Sequence, residues 1–431
     1  MTSVPDGWTT EPFCDVATYA AGRTPARATA TYWSGTGERY PWVSIADMDD
    51  YGNVTQTKET ITEGALRDVF RGRLVPAGTL IMSFKLTIGR VATLGVPACH
   101  NEAIIAIYPR EDVDQRFLGY FLSQFDYSEL QDRAIKGQTL NQDKIDRIPV
   151  LLPPASERTA IADVLDLVRR GIQTEERGEH AATHIKLTAM RGLFASGLRE
   201  EPQKETEVGL IPQSWSVVRL GSLGRIGNGS TPKKTVRAYW DGGTFPWLNS
   251  AKVYDRLIIS ANQHVTAIAL KECHLPVLKP GAILIAITGQ GKTLGHCAVL
   301  DMEASINQHL AYLQPDLEQT NPRYVAGYLE TQYDYLRQVA SGGGSTKGAL
   351  TCAFLRDLPL PMPPTKDEQD EIAEVVDAID RKIDLHRRKR GVLEELFKSL
   401  LHKLMTGEIR VADLDMTALP APEPALQEAG S

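Results

Sequence analysis

The chain repeats itself, and this internal repeat limits its possible fold more than any other feature of the sequence. Trp8 matches Trp215, and the stretch beginning at Gly22 matches the one beginning at Gly229, both at a separation of 207 residues. Later matches keep their order while the separation drifts by a few residues, as loop insertions would cause. They are Tyr32-Trp33 with Tyr239-Trp240, Pro41-Trp42 with Pro246-Trp247, Gly78–Met82 with Gly281–Ile285, Asn101-Glu102 with Asn307-Gln308, and Ile148–Pro154 with Leu358–Pro364. We therefore expect two copies of one structural unit.

Each half begins with a region in which strand and helix periodicities are mixed. Apolar residues at helical spacing run from Phe117 to Leu130 and from Tyr324 to Leu336. Short apolar runs bounded by Gly and Pro predict strands at Thr79–Phe84, Arg90–Leu94, Ala103–Tyr108, Ile283–Ile287 and Ala298–Leu300. The sequence thus predicts an α+β fold with two mixed α/β domains.

Each half then continues into one long helix. A double proline precedes each helix, Ser156 and Thr365 are the N-cap candidates, and Gly197 and Gly407 are the predicted C-terminal stops. Apolar positions alternate steps of three and four, which is typical of a coiled-coil seam with a polar middle. The two seams are Ile161, Leu165, Val168, Ile172, Glu175, Glu179, Ala182, Lys186, Ala189 and Leu193, and Ile372, Val376, Ile379, Ile383, His386, Arg390, Leu393, Phe397, Leu400 and Leu404. The near-equal lengths suit an antiparallel pair.

The charge of the chain is distributed unevenly. The net charge is −7, with −4 in residues 1–154 and +4 in residues 208–365, so only the latter span has the sign of a phosphate binder. The five cysteines are scattered without metal-ligand spacing, which indicates reduced thiols and no metal site. The sequence has no run of 18 apolar residues and no signal-peptide pattern, so we expect a cytoplasmic protein without a membrane span.

Two short motifs point to other functions. The stretch Ala286–Thr293, ending in Gly291-Lys292-Thr293, nearly matches a phosphate-binding P-loop, but alanine replaces its first glycine and the following residues favour a strand. An NTPase is therefore the alternative interpretation of the chain. Asn321-Pro322-Arg323-Tyr324 is similar to the Asn-Pro-Pro-Tyr motif of amino-methyltransferases, but a helix start explains it better.

The order of domain, helix, domain, helix resembles the specificity subunit of type I restriction–modification complexes. The resemblance rests on the paired Thr-Pro, Tyr-Trp and Pro-Trp series and on Glu368-Gln369 and Ile372-Ala373 at the second junction, whereas the first junction departs from it with Glu157-Arg158. The resemblance implies target recognition domains at 1–154 and 208–365 and conserved helical regions at 155–207 and 366–410. It also implies that the two helices form an antiparallel coiled coil. The proline-rich composition after Arg410 separately predicts a disordered tail at 411–431.

The same resemblance implies a non-catalytic DNA-binding subunit that acts in phage defence. Such a subunit reads a bipartite, asymmetric target in double-stranded DNA, one half with each domain. It also scaffolds two modification (methyltransferase) subunits and, in restricting complexes, restriction/translocase subunits. S-adenosylmethionine, ATP and Mg are then brought by these partners, and the chain itself binds no cofactor.

For DNA contact we expect polar, glycine-rich stretches that occur in both halves. Ordinary solvated loops are the alternative for every one of these residues. Trp33, Trp42, Trp240 and Trp247 also recur, and core packing is favoured for them over base stacking. The candidate DNA contacts are Arg23, Thr24, Lys136, Gln138, Thr139 and Asn141 in the first half, and Ser230, Thr231, Lys233, Lys234, Ser345, Thr346 and Lys347 in the second.

A charged layer in the middle of the coil is expected to set the register of the two helices. Aligning the helix ends antiparallel makes paired residue numbers sum to about 562. The alternatives are two solvated charge runs or contact of the basic run with DNA phosphates. The predicted pairs are Glu175 with Arg387, Glu176 with His386, Glu179 with Ile383, and Ile172 with Arg390.

Overall fold

The computed structural model describes residues 4–130, 140–199, 201–289, 292–342 and 349–415. The chain divides into two compact units, residues 1–175 with 388–431 (unit 1) and residues 176–387 (unit 2). Each unit contains one globular domain and half of each long helix. The units therefore differ from the domains predicted from the sequence, since each long helix is divided between the two units. The reason is that each half of a helix packs against a globular domain.

The strands of unit 1 are β1 (Thr9–Pro12), β2 (Ala17–Ala21), β3 (Arg39–Val43), β4 (Gly52–Val54), β5 (Glu59–Thr62), β6 (Leu80–Ser83), β7 (Val91–Leu94), β8 (Cys99–His100), β9 (Ile104–Pro109) and β10 (Pro149–Leu152). They form a five-stranded sheet with the order β2-β9-β6-β7-β4 and a three-stranded sheet with the order β5-β3-β8, and β1 pairs with β10. The helices are α1 (Phe13–Val16), α2 (Ala30–Trp33), α3 (Glu63–Phe70), α4 (Gln115–Gln124) and α5 (Gln142–Asp146).

The central strand β6 shows why this sheet is covered on both faces. Leu80 and Met82 belong to an apolar core that also includes side chains of the two long helices. Ile81 belongs to a second apolar core of the same domain. All four residues of β6 are buried, as expected for a strand with a core on each side. The strands predicted from the apolar runs are confirmed, with ends that differ by at most one residue.

Unit 2 repeats the strand order of unit 1, with the orders β14-β21-β18-β19-β16 and β17-β15-β20 and with β13 paired to β22, and it adds the two-stranded sheet β11-β12. The strands are β11 (Gln203–Thr206), β12 (Gly209–Pro212), β13 (Ser216–Arg219), β14 (Gly224–Asn228), β15 (Phe245–Leu248), β16 (Leu257–Ile258), β17 (Gln263–Val265), β18 (Ile283–Ala286), β19 (Cys297–Leu300), β20 (Ser305–Ile306), β21 (Leu310–Pro315) and β22 (Pro359–Met362). The helices are α6 (Ala155–Ser196), shared with unit 1, then α7 (Ala267–Glu272), α8 (Pro322–Thr331), α9 (Tyr333–Gly342), α10 (Cys352–Asp357) and α11 (Lys366–Met405), which is also shared.

The ends of the long helices follow the sequence signals with one exception. The Thr365 hydroxyl accepts a hydrogen bond from Glu368 N at 3.4 Å, and Gly197 and Gly407 have φ of 63° and 68°, so this cap and both stops are confirmed. The prediction that Ser156 caps α6 was wrong, because the helix already begins at Ala155. The Pro154 carbonyl accepts the first helical N–H groups, so the proline itself starts the helix.

Within each unit the two helix segments pack side by side in antiparallel order. In unit 1, a Cβ at Gly171 would lie 3.3 Å from Leu393, and Glu175 pairs with Lys389 at 3.9 Å, so residue numbers rise along α6 as they fall along α11. Ile161, Leu165 and Val168 share one core with Phe397, Leu400 and Leu404 of α11. In unit 2, Met190 and Phe194 share a core with Ile372 and Val376. The coiled-coil prediction is thereby confirmed for each unit.

In unit 1 an aromatic cluster holds the domain on its helix pair. The ring of Phe397 on α11 lies 5.3 Å from that of Tyr51 and 6.0 Å from that of Tyr120. Arg169 on α6 lies over both tyrosine rings, at 5.6 and 6.0 Å, and donates to the Tyr51 carbonyl. We call Tyr51, Tyr120, Arg169 and Phe397 the aromatic anchor.

In unit 2 the equivalent place is occupied by charges. Lys186 on α6 is 2% exposed and bonds Glu330 at 2.8 Å and Asp380 at 2.9 Å. Arg256 pairs with the same two carboxylates. Arg256 and Tyr51 correspond in the repeat and share a positive φ, 58° and 60°. We call Lys186, Arg256, Glu330 and Asp380 the charged anchor.

Candidate nucleic-acid interface

In unit 1 the loop after β2 lies against the loop between β8 and β9. Gly22 N donates to Ile104 O at 3.1 Å, and Arg23 N donates to His100 O at 2.8 Å. A Cβ at Gly22 would lie 2.1 Å from the His100 carbonyl oxygen, so only glycine allows this approach. The residues that follow Gly22 are thereby presented beside Asn101 and Glu102.

Unit 2 builds the same pair of loops from its own residues. Gly229 N donates to Leu310 O at 3.2 Å, and Ser230 N donates to Ile306 O at 3.0 Å. A Cβ at Gly229 would lie 2.0 Å from the Ile306 carbonyl oxygen. The backbone of this region is therefore the same in both domains.

A pair of tryptophans supports each loop from below. Trp42 Nε1 donates to Arg23 O at 3.0 Å, and Trp247 Nε1 donates to Ser230 O at 3.1 Å. Both rings are nearly fully buried and stack edge-on against Trp33 and Trp240 respectively. The core role favoured for Trp42 and Trp247 is confirmed, since buried rings cannot stack on bases.

The polar side chains that these loops carry differ between the units. In unit 1 the Thr24 hydroxyl donates to Glu102, and in unit 2 the Thr231 hydroxyl donates to the Gln308 side-chain oxygen. Glu102 and Gln308 correspond in the repeat, and both are exposed. One domain therefore presents a carboxylate at the point where the other presents an amide.

The surroundings of the carboxylate keep it ionised. The hydrogen bond from Thr24 lowers the pKa of Glu102 below its usual value, and Lys85 and Arg27 lower it further, while partial desolvation acts in the opposite direction. Arg27 itself forms a bidentate pair with Glu59 at 2.5 and 2.9 Å and lies 3.8 Å from the centre of the Trp33 ring. Glu102 is thus an acceptor at neutral pH.

Around the amide in unit 2, two of the charged residues of unit 1 are replaced by neutral ones. His309 Nδ1 lies 2.5 Å from the Thr288 hydroxyl, and its Nε2 lies 3.3 Å from Gln308 Nε2. Thr288 stands where unit 1 has Lys85, and Gln263 stands where unit 1 has Glu59. Lys234, at the position of Arg27, is exposed.

Of the other predicted contacts, several lie outside the described residues. These are Lys136, Gln138, Thr139, Ser345, Thr346 and Lys347. Leu140 N donates to Phe84 O at 3.0 Å, and Leu350 N donates to Ile287 O at 2.8 Å. Leu140 and Leu350 therefore lie beside the neighbours of Lys85 and Thr288 in the chain. Asn141 caps α5, and its side chain accepts from Lys144 N at 3.0 Å. Arg23 donates to Val69 O at 3.1 Å, and Ser230 and Lys233 lie in the loop just described.

The structure corrects the register proposed for the middle of the coil. Glu179 pairs with Arg387 at 2.7 Å rather than facing Ile383, Glu175 pairs with Lys389, and His386 lies against Gly178. Contacting residue numbers sum to 564–566 rather than 562. Helical side chains lean toward their own N-terminus, so in an antiparallel pair each contact involves residues about one position further along both helices. Arg390 lies 3.5 Å from Glu394 of its own helix, and Glu176 is exposed. The predicted pair of Ile172 with Arg390 stays a prediction.

The P-loop hypothesis is not supported. Residues 297–300, after Lys292 and Thr293, form strand β19, which pairs antiparallel with β18. A P-loop needs a helix at this point, because its N-terminus binds the phosphate. Among the described residues there is also no cluster of three or more His, Cys, Asp or Glu that could hold a metal ion. No helix of the described chain is long and apolar enough to cross a membrane.

Sequence reasoning missed Glu102 and Gln308 as candidate contacts, although it aligned them. The sequence predicts contacts in polar stretches rich in glycine and serine, whereas Glu102 and Gln308 follow the two-residue buried strands β8 and β20. A comparison of the aligned halves for exposed positions that differ in charge would have found them.

The comparisons with known proteins agree with this architecture. The MjaIX specificity subunit of a type I restriction enzyme from Methanocaldococcus jannaschii is 24% identical over 429 residues, which is 95% of each chain. The EcoR124I/EcoR124II specificity subunit of Escherichia coli is 25% identical over 164 residues, 37% of this chain and 40% of that one.

Solved structures share the fold. A type I restriction–modification S subunit from M. genitalium aligns with a TM-score of 0.59 at 13% identity, over 94% of this chain and 99% of that one. The family profile described as the type I restriction modification DNA specificity domain matches residues 5–182 and 212–395, the two halves of the repeat. The chain therefore belongs to the type I restriction–modification DNA specificity family.

Proposed function

We propose that this specificity subunit reads a bipartite, asymmetric target in double-stranded DNA, one half with each domain, and carries no catalytic site of its own. The observation that supports this most strongly is the repeated loop pair. Its backbone hydrogen bonds and tryptophan support are the same in both units, while the exposed side chains differ. Two readers on one scaffold need a shared backbone and different contacts.

The charge of the two domains supports unequal roles in DNA binding. Residues 1–154 carry −4 and residues 208–365 carry +4, so the second domain attracts phosphates more strongly. We therefore assign to residues 208–365 the larger share of the salt dependence of binding. The candidate contacts Thr231, Lys233 and Lys234 lie in this domain.

The catalytic subunits would then be separate chains. We infer that the subunit scaffolds two modification subunits, which bring S-adenosylmethionine, and in a restricting complex the restriction subunits, which bring ATP and Mg. The names of its relatives, which are specificity subunits of type I restriction enzymes, support this arrangement. The cytoplasm is the compartment in which such a complex meets DNA.

Two experiments test the proposal. The purified chain alone should transfer no methyl group from S-adenosylmethionine to DNA, whereas the chain with its modification subunits should methylate two short sequences separated by a spacer. Methyl transfer by the isolated chain would contradict the non-catalytic role. Replacing residues 208–365 by the matching domain of another family member should change one half of the methylated motif only, and a change in both halves would contradict independent reading.

A further inference from the structure

Glu102 and Gln308 stand at one point of a shared backbone, and they offer opposite hydrogen-bonding chemistry. Each is exposed, each follows an asparagine whose side chain caps the loop backbone, and each is held by the hydroxyl of a corresponding threonine. The threonine fixes one side-chain oxygen. Both side chains are exposed beside the candidate DNA contacts Thr24 and Thr231, and Gln308 Nε2 also lies 3.3 Å from His309 Nε2.

We propose that Glu102 and Gln308 are base-reading residues, Glu102 for the amino group of a cytosine and Gln308 for an adenine. This inference rests on the proposed DNA-reading function and names two of the side chains that carry it out. It commits the two domains to different bases at equivalent positions.

The ionisation of Glu102 selects among the bases. A carboxylate accepts hydrogen bonds only, and cytosine N4 is the donor that it fits in the major groove. Adenine also has an amino group there, but its N7 acceptor lies beside it and repels a carboxylate. Guanine and thymine present acceptors, which Glu102 cannot satisfy.

Gln308 presents a donor as well as an acceptor. Its oxygen accepts from Thr231 and keeps a second lone pair, while the Nε2 group donates. A side-chain amide matches the N6 amino group and N7 acceptor of adenine together. No carboxylate corresponding to Glu59 lies beside it, because unit 2 has Gln263 there.

The residues around Glu102 and around Gln308 also differ between the two units, in a way that matches the chemistry of each side chain. Lys85 and Arg27 lower the pKa of Glu102, so the carboxylate stays charged next to phosphates. In unit 2 the equivalent positions are Thr288 and Lys234, and His309 Nε2 lies 3.3 Å from the amide nitrogen. Each side chain is therefore supported by neighbours that suit its own chemistry.

Exchanging the two side-chain types in the full-length subunit, assembled with its modification subunits, tests the inference. The motif is measured by sequencing methylated positions in randomised duplex DNA. Glu102→Gln should change one position in one half-site from cytosine toward adenine, by on the order of 5- to 150-fold in relative preference. Gln308→Glu should make the reverse change in the other half-site. Glu111→Gln, at an exposed residue of the same domain, is the matched control and should leave the motif unchanged.

The outcomes separate the inference from the proposed function. If the wild-type complex reads a two-part motif and both exchanges leave it unchanged, the base-reading role is wrong while the proposed function stands. If the exchanges weakened DNA binding equally on all sequences, the base-reading role would also be wrong, because a phosphate contact behaves in that way. A wild-type complex without a bipartite motif would overturn the proposed function itself. Thr24→Val gives a second measurement, because a loosened Glu102 should relax the same position that Glu102→Gln changes.

Discussion

Lys186 and Phe397 occupy the same position of the two long helices, 211 residues apart in the repeat, and their surroundings are opposite in character. Lys186 is buried between two carboxylates, whereas Phe397 is buried between two tyrosine rings. The same helix–domain contact is thus made by ion pairs in unit 2 and by aromatic packing in unit 1. The two anchors are therefore not interchangeable, and each can be tested separately.

Lys186→Met should destabilise the protein by about 3 kcal/mol, because removing one partner of a buried ion pair leaves charge uncompensated. Burial already raises the pKa of Asp380, with Arg256 and Lys186 acting against that rise. Adding Asp380→Asn should recover part of the loss. Urea unfolding followed by circular dichroism measures the change, and Lys382→Met, on an exposed position of α11, serves as the control. Equal effects of the two lysine changes would contradict a buried role for Lys186.

Phe397→Lys should cost about 3–5 kcal/mol in the free energy of unfolding, because the ammonium group would be placed near Arg169 without a carboxylate corresponding to Glu330. Phe397→Leu keeps the apolar character and should cost less than about 1.5 kcal/mol. The same urea titration compares the two variants. A lysine tolerated as well as leucine would show that the tyrosine rings do not enclose this side chain.

The ion pair between Glu179 and Arg387 should be measurable as a coupling of about 0.2–1 kcal/mol, since Arg387 is half exposed. Glu179→Lys and Arg387→Glu should each reduce stability, and the double variant should recover part of the loss. Glu176→Lys combined with Arg387→Glu is the control pair and should be additive. A coupling between Glu176 and Arg387 as large as that between Glu179 and Arg387 would contradict the pairing seen in the structure.

Two glycines of the α11 region should respond to alanine with opposite sign. Gly407 has φ of +68°, and an added Cβ would lie 2.4 Å from Pro5 Cγ, so Gly407→Ala should cost at least about 1–2 kcal/mol. Gly391 lies inside the helix with nothing within 4 Å of an added Cβ, so Gly391→Ala should gain about 0.5–1 kcal/mol. Melting temperatures measure both changes, and a loss at Gly391 would contradict the open space seen there.

His100 should make the protein sensitive to mild acid. It is 3% exposed, and burial lowers its pKa in the folded chain below the value of about 6.5 in the unfolded chain. The unfolded chain therefore binds the proton first as pH falls below about 6.5, and stability is lost there. His100→Ile introduces the residue found at the corresponding position of unit 2, Ile306. The melting temperature of this variant should fall less between pH 7.5 and pH 5.5 than that of the wild type. An equal loss in both would show that His100 does not contribute.

The anchors show where prediction from the sequence stops. The heptad pattern placed Lys186 and Phe397 in the seams, and their burial confirms those positions. The pattern could not reveal that Glu330 and Asp380 lie within 3 Å of Lys186, because those residues come from α8 and α11 and meet only after folding. The mid-coil register was missed for a related reason, since helix ends locate backbones but contacts depend on the direction of side chains.

The sequence by itself determined the repeat, the order of domains and helices, the strands of the central sheets, the helix stops and the family. These follow from local patterns, because periodicity and glycine or proline chemistry act over a few residues. Only the tertiary structure decided which side chains share a surface. Thr24 and Glu102 are 78 residues apart in the chain, and their hydrogen bond exists because β2 and β9 are neighbours in the sheet. Lys186 and Glu330 of the charged anchor are 144 residues apart. Long-range pairing of this kind depends on how strands are ordered in a sheet, which no local pattern specifies.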